Sequence, residues 1–340
     1  MMHRAKLDWY EYCENFVSGC KRKCPNCSAY RNASNLSGDI PRNLALGKHQ
    51  KLGDLYIINK PYFTERGRED RYPFGFAPTL HRYRYKNLDT HMIGSPIFIS
   101  ALGDMFENWM PDQYIYEIFG ECIARPRHVY LFMTKTPVRY AKLDLPDRDN
   151  FWYGTTVSCD AEIGNLLSLP KDRNTFVSID PLRERLVIPP EYMDRVDWVI
   201  IGAEKGWSKS KVMPSESWVK EIADLCKSKG IPVFMRPSLL PVMNEEQMQR
   251  EKPGPLDYSG KDRIREAYEG ECIRCGATDD IRNLVTIKAT TGRKGPERNI
   301  CFLCRPCYEN WCTDWKMESH VEAIFGKGGQ QDEEELQKDR

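Results

Sequence analysis

The sequence predicts an α/β fold in which a partial (β/α) barrel precedes a small cysteine-rich module. Three observations predict it. Short apolar runs recur through the first 236 residues, helix-like segments separate several of these runs, and six of the 13 cysteines lie after residue 270. Repeated strand–helix units are typical of parallel α/β sheets and barrels. The 340 residues allow about two domains of roughly 150 residues each.

The predicted strands are apolar throughout rather than alternating, as expected for strands that are buried on both faces. A first strand is predicted near residues 9–16. About seven strands in total suit an incomplete or irregular barrel. The other six are Pro96–Ser100, His128–Thr134, Phe151–Val157, Thr175–Asp180, Trp198–Gly202 and Pro232–Met235.

Two segments between these strands carry helix signals. Residues 112–124 begin with Asp112 as a candidate N-cap, and residues 215–229 begin with Ser215 and end before Gly230. Residues 30–90 are rich in Arg, Tyr and Asn, and we expect loops and short helices there.

Composition also predicts the domain boundaries. Residues 1–236 form the predicted barrel, and the proline-rich residues 237–262 form a linker. Residues 263–325 form the C-terminal module. Residues 326–340 are mostly Gly, Gln and charged residues, which predicts a disordered tail.

The charge balance excludes a polycationic protein, because 50 Lys and Arg face 49 Asp and Glu for a net charge of +1. No stretch reaches the roughly 18 apolar residues of a membrane span. The N-terminal segment has no apolar run after its positive charges, unlike a signal peptide. We therefore expect a cytoplasmic protein without membrane association, whose cysteines are thiols or metal ligands.

Three cysteines near the N-terminus have the spacing Cys20-x3-Cys24-x2-Cys27. Three thiolates this close can hold three corners of a cubane [4Fe-4S] cluster and leave one iron open to another ligand. They cannot complete a four-coordinate zinc site alone. The alternative is a zinc knuckle completed by Cys13 or a histidine. The basic residues 21–23 favour thiolates beside them.

This spacing, in a loop between a first strand and a barrel-like region, resembles the radical SAM superfamily over residues 8–236. The resemblance implies a [4Fe-4S] cluster on Cys20, Cys24 and Cys27, with S-adenosylmethionine (SAM) bound to the open iron. It also implies reductive cleavage of SAM to a 5′-deoxyadenosyl radical, with electrons from a donor such as a flavodoxin. The position before the third cysteine, often aromatic in the superfamily, is Asn26.

A narrower resemblance is to a poorly characterised, phage-associated branch of this superfamily. Residues 98–107, 131–137, 176–182 and 197–204 carry that resemblance. The branch implies no particular substrate.

Polar residues follow the predicted strands at their carboxyl ends, where parallel barrels place their active sites. Carboxylates and hydroxyls suit the ammonium, ribose and adenine of SAM. Asp104 is predicted near the methionyl ammonium and Thr156 or Ser158 near the ribose, whereas Asp180 and Glu204 could face substrate. For each residue the alternative is a helix cap. The predicted cofactor-binding residues are Ser100, Asp104, Thr134, Thr156, Ser158, Asp180 and Glu204.

Two basic residues also follow the predicted strands. Lys135 and Arg236 could neutralise a carboxylate or phosphate near the cluster. The alternative for each is a surface ion pair.

The C-terminal cysteines predict a zinc site, because Cys272-x2-Cys275 and Cys304-x2-Cys307 supply four tetrahedral ligands. Either Cys301 or Cys312 could replace one ligand, and a second iron–sulfur cluster is the alternative. Both pairs resemble the zinc half of an HNH nuclease module. Nuclease chemistry is predicted to be absent, because residues 283–288 lack a histidine and Tyr308 follows the last pair.

The leading hypothesis is a radical SAM enzyme that acts on nucleic acid or a nucleotide, with no further catalytic residue assigned. Basic residues at 288, 293, 294 and 298 suit nucleic acid, or form a solvated loop. Tyr83 and Tyr85 could stack on bases or pack in the core. The competing hypotheses are a peptide or protein substrate, and a non-catalytic nucleic-acid-binding protein with two zinc modules.

Overall fold

A computed structural model describes residues 9–22, 24, 27–91, 94–205, 211–256, 269–272, 278–280, 285–290 and 297–314. The chain divides into two compact units, Met1–Ser259 and Gly260–Arg340. None of the helices in these ranges is long and apolar enough to cross a bilayer.

The first unit is built on short strands joined by α-helices and 3-10 helices. Its strands are β1 (Tyr12–Glu14), β2 (Val17–Ser18), β3 (Gln50–Leu52), β4 (Leu55–Ile58), β5 (Thr79–His81), β6 (Pro96–Ile99), β7 (Val129–Thr134), β8 (Phe151–Thr156), β9 (Asn174–Ile179), β10 (Val199–Ile201) and β11 (Val233–Met235). Its α-helices are α1 (Ser28–Leu36), α2 (Ile40–Ala45), α3 (Asp112–Ile123) and α4 (Glu216–Lys229). Its 3-10 helices span Arg82–Thr90, Pro137–Lys142, Asp160–Ser168, Pro190–Arg195, Pro237–Leu239, Glu245–Gln247 and Gly254–Leu256.

Seven parallel strands form a curled, open sheet in the order β1-β6-β7-β8-β9-β10-β11. The predicted α/β fold, a partial (β/α) barrel, is confirmed, and each predicted strand is present. Because all seven strands run in the same direction, their carboxyl ends meet at one edge.

The two predicted helices begin differently. Ser215 caps α4 and accepts a hydrogen bond from Trp218 N at 3.4 Å, and Gly230 ends this helix with φ of +68°. The prediction that Asp112 is the N-cap of the other helix was wrong. Pro111 occupies the N-cap position of α3, and Asp112 is its first helical residue. A carboxylate in the first turn still complements the helix dipole.

Two apolar clusters cover opposite faces of the barrel sheet. The larger contains the inward faces of α3 and α4, including Ile118 and Ile222. The other fills the concave side with aromatic rings, and Trp9 lies 5.0 Å from Phe98 and 6.0 Å from Trp198 between ring centroids. The concave side is therefore packed below its carboxyl edge, which leaves the edge for polar side chains.

A second sheet in the first unit has the order β2-β5-β4-β3. Strands β3, β4 and β5 lie within residues 30–90, where loops and short helices were predicted, so that prediction was wrong for these three strands. The strands have two to four residues, and all three residues of β3 are exposed. Such short segments carry too little periodicity to be recognised from sequence.

The described part of the predicted linker packs on the first unit. Leu239, Met243 and Leu256 are buried in its apolar clusters, and Trp198 Nε1 donates to Glu251 O at 3.0 Å. Residues 237–256 are thus part of this unit. The remaining domain boundaries stay a prediction.

In its described residues, the second unit contains two antiparallel hairpins and a helix. Strands β12 (Glu269–Glu271) and β13 (Thr278–Asp280) form one hairpin, and β14 (Val285–Thr290) and β15 (Glu297–Leu303) form the other. Helix α5 (Arg305–Asp314) follows directly. The predicted tail, residues 326–340, lies outside the described residues.

Candidate functional site

The loop that carries the N-terminal cysteines starts at Gly19, where the backbone passes very close to Gly103 and Ala77. Gly19 has φ of +77°, and a Cβ there would lie 2.4 Å from Ala77 O. A Cβ on Gly103 would lie 2.6 Å from Gly19 O. Gly19 N donates to Leu102 O at 3.0 Å, and Cys20 N donates to Phe76 O at 3.2 Å. A side chain at either glycine would displace the start of the loop.

Cys20, Cys24 and Cys27 are half-buried and lie on the wall of one cleft. The Cys20 sulfur accepts from Arg22 N at 3.3 Å. Cys27 is the N-cap of α1, and its sulfur accepts from Tyr30 N at 3.4 Å. Burial raises the pKa of the Cys20 and Cys24 thiols, although Lys135 opposes the effect at Cys24. A bound cation would therefore be needed to hold both as thiolates.

The cleft lies at the carboxyl edge of the barrel sheet, and its empty volume of about 650 Å³ includes space open to solvent. Four of the seven predicted cofactor-binding residues line it together with the three cysteines, whereas Ser158, Asp180 and Glu204 do not. The lining is Cys20, Arg22, Cys24, Cys27, Ala29, Phe76, Phe98, Ser100, Ala101, Leu102, Gly103, Asp104, Met133, Thr134, Lys135 and Thr156.

Ser100 turns the chain at the end of β6. It has φ of +63°, which is rare for a residue with a side chain. Ser100 N donates to Glu14 O at 2.7 Å, and Ser100 Oγ accepts from Val17 N at 3.3 Å. The side chain therefore fixes the strained turn against β1 and β2.

Asp104 joins the loop after β6 to the end of β7. Its Oδ2 accepts from Thr134 Oγ1 at 2.9 Å and Lys135 N at 2.8 Å, and its Oδ1 accepts from Phe106 N at 3.0 Å. Desolvation raises the pKa of Asp104, although these three hydrogen bonds oppose it. A carboxylate has about four acceptor positions, so roughly one remains for a donor in the cleft.

Thr156 places an unsatisfied hydroxyl in the cleft. The residue is 6% exposed, and its Oγ1 is buried without a hydrogen-bond partner among the described residues. Its neighbour Thr155 points to the other face of β8 and donates to Thr134 O at 2.9 Å. A buried hydroxyl without a partner costs about 1–3 kcal/mol, which a hydrogen bond to a group in the cleft would offset.

A polar network beside the cysteines was not predicted from sequence. Arg22 Nε donates to Glu107 Oε1 at 2.7 Å, and Arg22 Nη2 donates to Thr136 Oγ1 at 2.8 Å. Thr136 Oγ1 donates to the same Glu107 oxygen at 2.8 Å. The network ties the cysteine loop to the residues after β6 and β7. Glu107 and Thr136 both lie shortly after the carboxyl end of a strand, and this position was the sequence signal that could have predicted the network.

The other half of the barrel edge carries Asp180, Arg236 and Glu204. Asp180 and Arg236 form a largely buried ion pair across the end of β10, where Gly202 leaves room for them. A Cβ on Gly202 would lie 2.3 Å from Asp180 Oδ1. Glu204 is 7% exposed, and its Oε2 has no hydrogen-bond partner in the described ranges. Ser158 N donates to Glu162 Oε2 at 2.7 Å.

The structure favours the packing interpretation for the tyrosines of the basic segment 82–86. Tyr85 is buried, and its hydroxyl donates to Glu117 Oε1 at 2.9 Å. The Tyr83 hydroxyl donates to Glu69 Oε1 at 2.7 Å. Both rings are held by contacts within the first unit.

In the second unit, the ligand atoms of Cys272, Cys304 and Cys307 lie within 4.8 Å of one another. Cys275, the other predicted zinc ligand, lies outside the described residues. Among the described residues, the N-terminal cysteines are not part of such a close set. A cubane separates its ligand sulfurs more widely than a single ion does.

A family model described as "Protein of unknown function (DUF5131)" matches residues 4–252. The chain belongs to this family. No curated protein matches it in sequence.

Solved structures of spore photoproduct lyase resemble the chain weakly. One, complexed with dinucleoside spore photoproduct, has 10% identity and a TM-score of 0.34, and the match covers 96% of this chain and 79% of that one. Another, a mutant with bound AdoMet and the same dinucleoside, has 13% identity and a TM-score of 0.32 over the same shares. Structural similarity this weak assigns no functional residue and no activity to this chain.

Proposed function

We propose that this chain is a radical SAM enzyme whose [4Fe-4S] cluster is held by Cys20, Cys24 and Cys27. The observation that supports this function is the convergence of three thiols with strand-end residues on one cleft. A donor set of three thiols suits a cubane with one open iron. When bound together, cluster and SAM supply reductive cleavage of a C–S bond and a 5′-deoxyadenosyl radical.

The cleft has polar groups that suit SAM. Thr156 Oγ1 is a buried hydroxyl without a partner in the described chain, and it can donate to or accept from a ribose hydroxyl. Asp104 keeps roughly one acceptor position for an ammonium. Lys135 places a cation on the wall near Cys24, where it would attract a carboxylate. Thr134 and Ser100 position these groups through their own hydrogen bonds.

Apolar side chains on the same wall would limit the water that reaches a group bound there. Phe76, Phe98 and Met133 line the cleft beside the polar groups. Removing water strengthens electrostatic contacts and protects reactive species from side reactions. The aromatic packing on the concave side closes the barrel below.

We place the substrate toward β9–β11, beside Glu204 and the Asp180–Arg236 ion pair. The buried Glu204 Oε2, unpartnered in the described ranges, can accept a hydrogen bond from a substrate N–H or O–H group. Nucleic acid or a nucleotide is the proposed substrate, since Lys288 and Arg298 add basic residues to the β14–β15 hairpin. A peptide or protein is the alternative. A cytoplasmic location and an electron donor such as a flavodoxin complete the proposal.

The test is analysis of anaerobically purified and reconstituted protein. We expect about four iron and four sulfide per chain at the N-terminal site, and 5′-deoxyadenosine after addition of SAM and dithionite. Replacing Cys20, Cys24 and Cys27 together by alanine removes both. Cys159→Ala is the matched control and retains both, and Cys13→Ala, which replaces a cysteine outside the proposed cluster, also retains both.

One result would favour the second candidate function, a non-catalytic nucleic-acid-binding protein with two zinc modules. In that case the N-terminal cysteines hold zinc, iron and sulfide are absent there, and SAM is not cleaved.

A further inference from the structure

Two buried hydrogen-bond donors beside the cysteine loop are not used by the proposed binding of SAM. They are the indole N–H of Trp109, in the connection between β6 and α3, and the hydroxyl of Tyr72, in the connection between β4 and β5. Neither Trp109 Nε1 nor Tyr72 Oη makes a hydrogen bond of normal geometry within the part of the chain that the structure describes. A buried donor without an acceptor is destabilising, and such groups are rare in folded proteins.

The chain places Trp109 next to Cys20. Glu107, two residues before Trp109, accepts a hydrogen bond from Arg22 Nε at 2.7 Å. Arg22 N in turn donates to Cys20 Sγ at 3.3 Å. The turn that contains Trp109 therefore lies beside the start of the cysteine loop. Burial raises the pKa of the Cys20 thiol, and the Trp109 N–H is among the groups that oppose this effect, so it lies within reach of the sulfur.

A second segment brings Tyr72 near Cys27. Gly75 N donates to Tyr72 O at 3.0 Å, which closes a turn that leads into Phe76. The Phe76 ring lies 5.2 Å from the Tyr30 ring between centroids, and Tyr30 N donates to Cys27 Sγ at 3.4 Å. Burial, and then the charge of the Cys27 thiolate, raise the pKa of Tyr72 to about 12. The hydroxyl therefore keeps its proton at neutral pH and can donate a hydrogen bond.

Both groups suit sulfur acceptors. An indole N–H can only donate, and a protonated hydroxyl beside an anionic sulfur donates to it. Cys20 Sγ and Cys27 Sγ each already accept from one backbone amide, so each would have one backbone donor and one side-chain donor. Reduction adds negative charge to a cluster and its sulfur ligands. Hydrogen-bond donors therefore stabilise the reduced form more than the oxidised form.

We propose that the Trp109 N–H and the Tyr72 O–H donate hydrogen bonds to the sulfur atoms of the bound cluster and thereby raise its reduction potential. Trp109 acts on the Cys20 side of the site. Tyr72 acts on the Cys27 side. Both are positioning residues, because they act through the cluster and its ligands and not on the substrate. The inference rests on the proposed function, which places the cluster on these cysteines.

Removing one donor at a time tests this assignment. Trp109→Phe and Tyr72→Phe keep an aromatic ring and lose only the N–H or O–H group as a donor. In each reconstituted variant, we expect the equilibrium constant for one-electron reduction of the cluster to fall about threefold to tenfold. This change corresponds to a potential that is lower by about 30–60 mV. Anaerobic redox titration, followed through the EPR signal of the reduced cluster, measures the shift.

Two control substitutions remove the same groups elsewhere. Trp152→Phe removes an indole N–H that is also buried without a partner among the residues described, but in the aromatic cluster on the concave side. Tyr130→Phe removes a hydroxyl that donates to Arg125 O at 2.8 Å, near the start of β7. Both controls should leave the potential unchanged. If Trp109→Phe or Tyr72→Phe has the potential of the unaltered protein, the role of that residue is overturned.

Iron and sulfide analysis of the same samples separates this inference from the proposed function. About four iron and four sulfide in the unaltered protein, with unchanged potentials in both variants, would overturn the donor role and leave the function intact. Absence of iron and sulfide from the unaltered protein would overturn both.

Trp109→Phe could also fail to assemble a cluster, so unaltered protein provides a second measurement. Its tryptophans are isotopically labelled at the indole nitrogen, and pulsed EPR of the reduced cluster should show a coupling to this nitrogen. Absence of the coupling would overturn the role of Trp109. Tyr72→Phe removes only a hydroxyl that has no partner in the described ranges, so we expect this variant to fold without loss of stability.

Discussion

Replacing Thr156 by valine separates the stability of the cleft from its affinity for a ligand. The two side chains have nearly the same shape, and only the hydroxyl is lost. Thr156 Oγ1 is buried without a partner in the described chain, whereas Thr155 Oγ1, on the adjacent residue, donates to Thr134 O. Thr155→Val is therefore a control of the same chemical size on the same strand.

The expected magnitudes follow from these environments. A buried hydroxyl without a partner costs about 1–3 kcal/mol, so Thr156→Val should stabilise the protein without cluster or SAM by about 1 kcal/mol. Thr155→Val should destabilise it by about 1–2 kcal/mol, because it removes a hydrogen bond and leaves Thr134 O without that donor. If the Thr156 hydroxyl binds SAM, its loss costs about 0.5–1.5 kcal/mol, or roughly twofold to thirteenfold in Kd.

Urea unfolding measures the change in stability of both variants. Equilibrium dialysis of SAM against reconstituted protein measures the change in SAM affinity. Thr155→Val should leave the SAM affinity close to that of the unaltered protein. A loss of stability in Thr156→Val comparable to that in Thr155→Val would mean that the Thr156 hydroxyl has a partner. Unchanged SAM affinity in Thr156→Val would remove this residue from the binding site.

Three further predictions concern the barrel edge, the cysteine loop and a buried histidine. Gly202→Ala should lower the free energy of unfolding in urea by about 1–3 kcal/mol, because its Cβ would meet Asp180 Oδ1 at 2.3 Å. The control Gly120→Ala, whose Cβ meets nothing within 4 Å in α3, should instead raise it by about 1 kcal/mol. Equal effects of the two substitutions would show that the contact with Asp180 is not crowded. Gly103→Ala should lower the iron bound on reconstitution, because its Cβ would meet Gly19 O at 2.6 Å. Full iron occupancy in this variant would show that the close approach of Gly103 to Gly19 does not position the cysteine loop. Burial lowers the pKa of His128 from 6.5 to about 4, so the unfolded chain binds more protons between these values and stability falls as the pH drops through this window. Relative to His128→Gln, the unaltered protein should lose about 2 kcal/mol between pH 7 and pH 5 in urea unfolding, and parallel profiles would exclude this effect.

The barrel was predictable because its strands are continuous apolar runs. Phe151–Thr156 and Val199–Ile201 are buried along their whole length, so hydrophobicity alone locates them. The side sheet was not predictable, since Gln50–Leu52 is exposed and Val17–Ser18 has two residues. Strand pairing there depends on distant partners that local sequence does not specify.

The cleft was predictable in part for a similar reason. Residues at the carboxyl ends of strands are placed together by topology, which brought Ser100, Asp104, Thr134 and Thr156 to one wall. Their individual roles depend on hydrogen bonds between elements. Asp104 accepts hydrogen bonds from Thr134 and Lys135, whereas Thr156 Oγ1 has no partner in the described chain. Sequence position alone does not reveal this difference.

The pairing of β1 with β6 has a consequence for the order in which the chain matures. Tyr12 is registered with Ile97, so the edge strand joins the sheet only when the intervening 84 residues close on themselves. Closing a loop of this length costs roughly 4 kcal/mol of chain entropy, more than closing the shorter connections between later strands. The later strands can therefore assemble first, and the N-terminal edge docks last. The cysteine loop, which follows β1 and β2 in the chain, would therefore reach its final position late in folding.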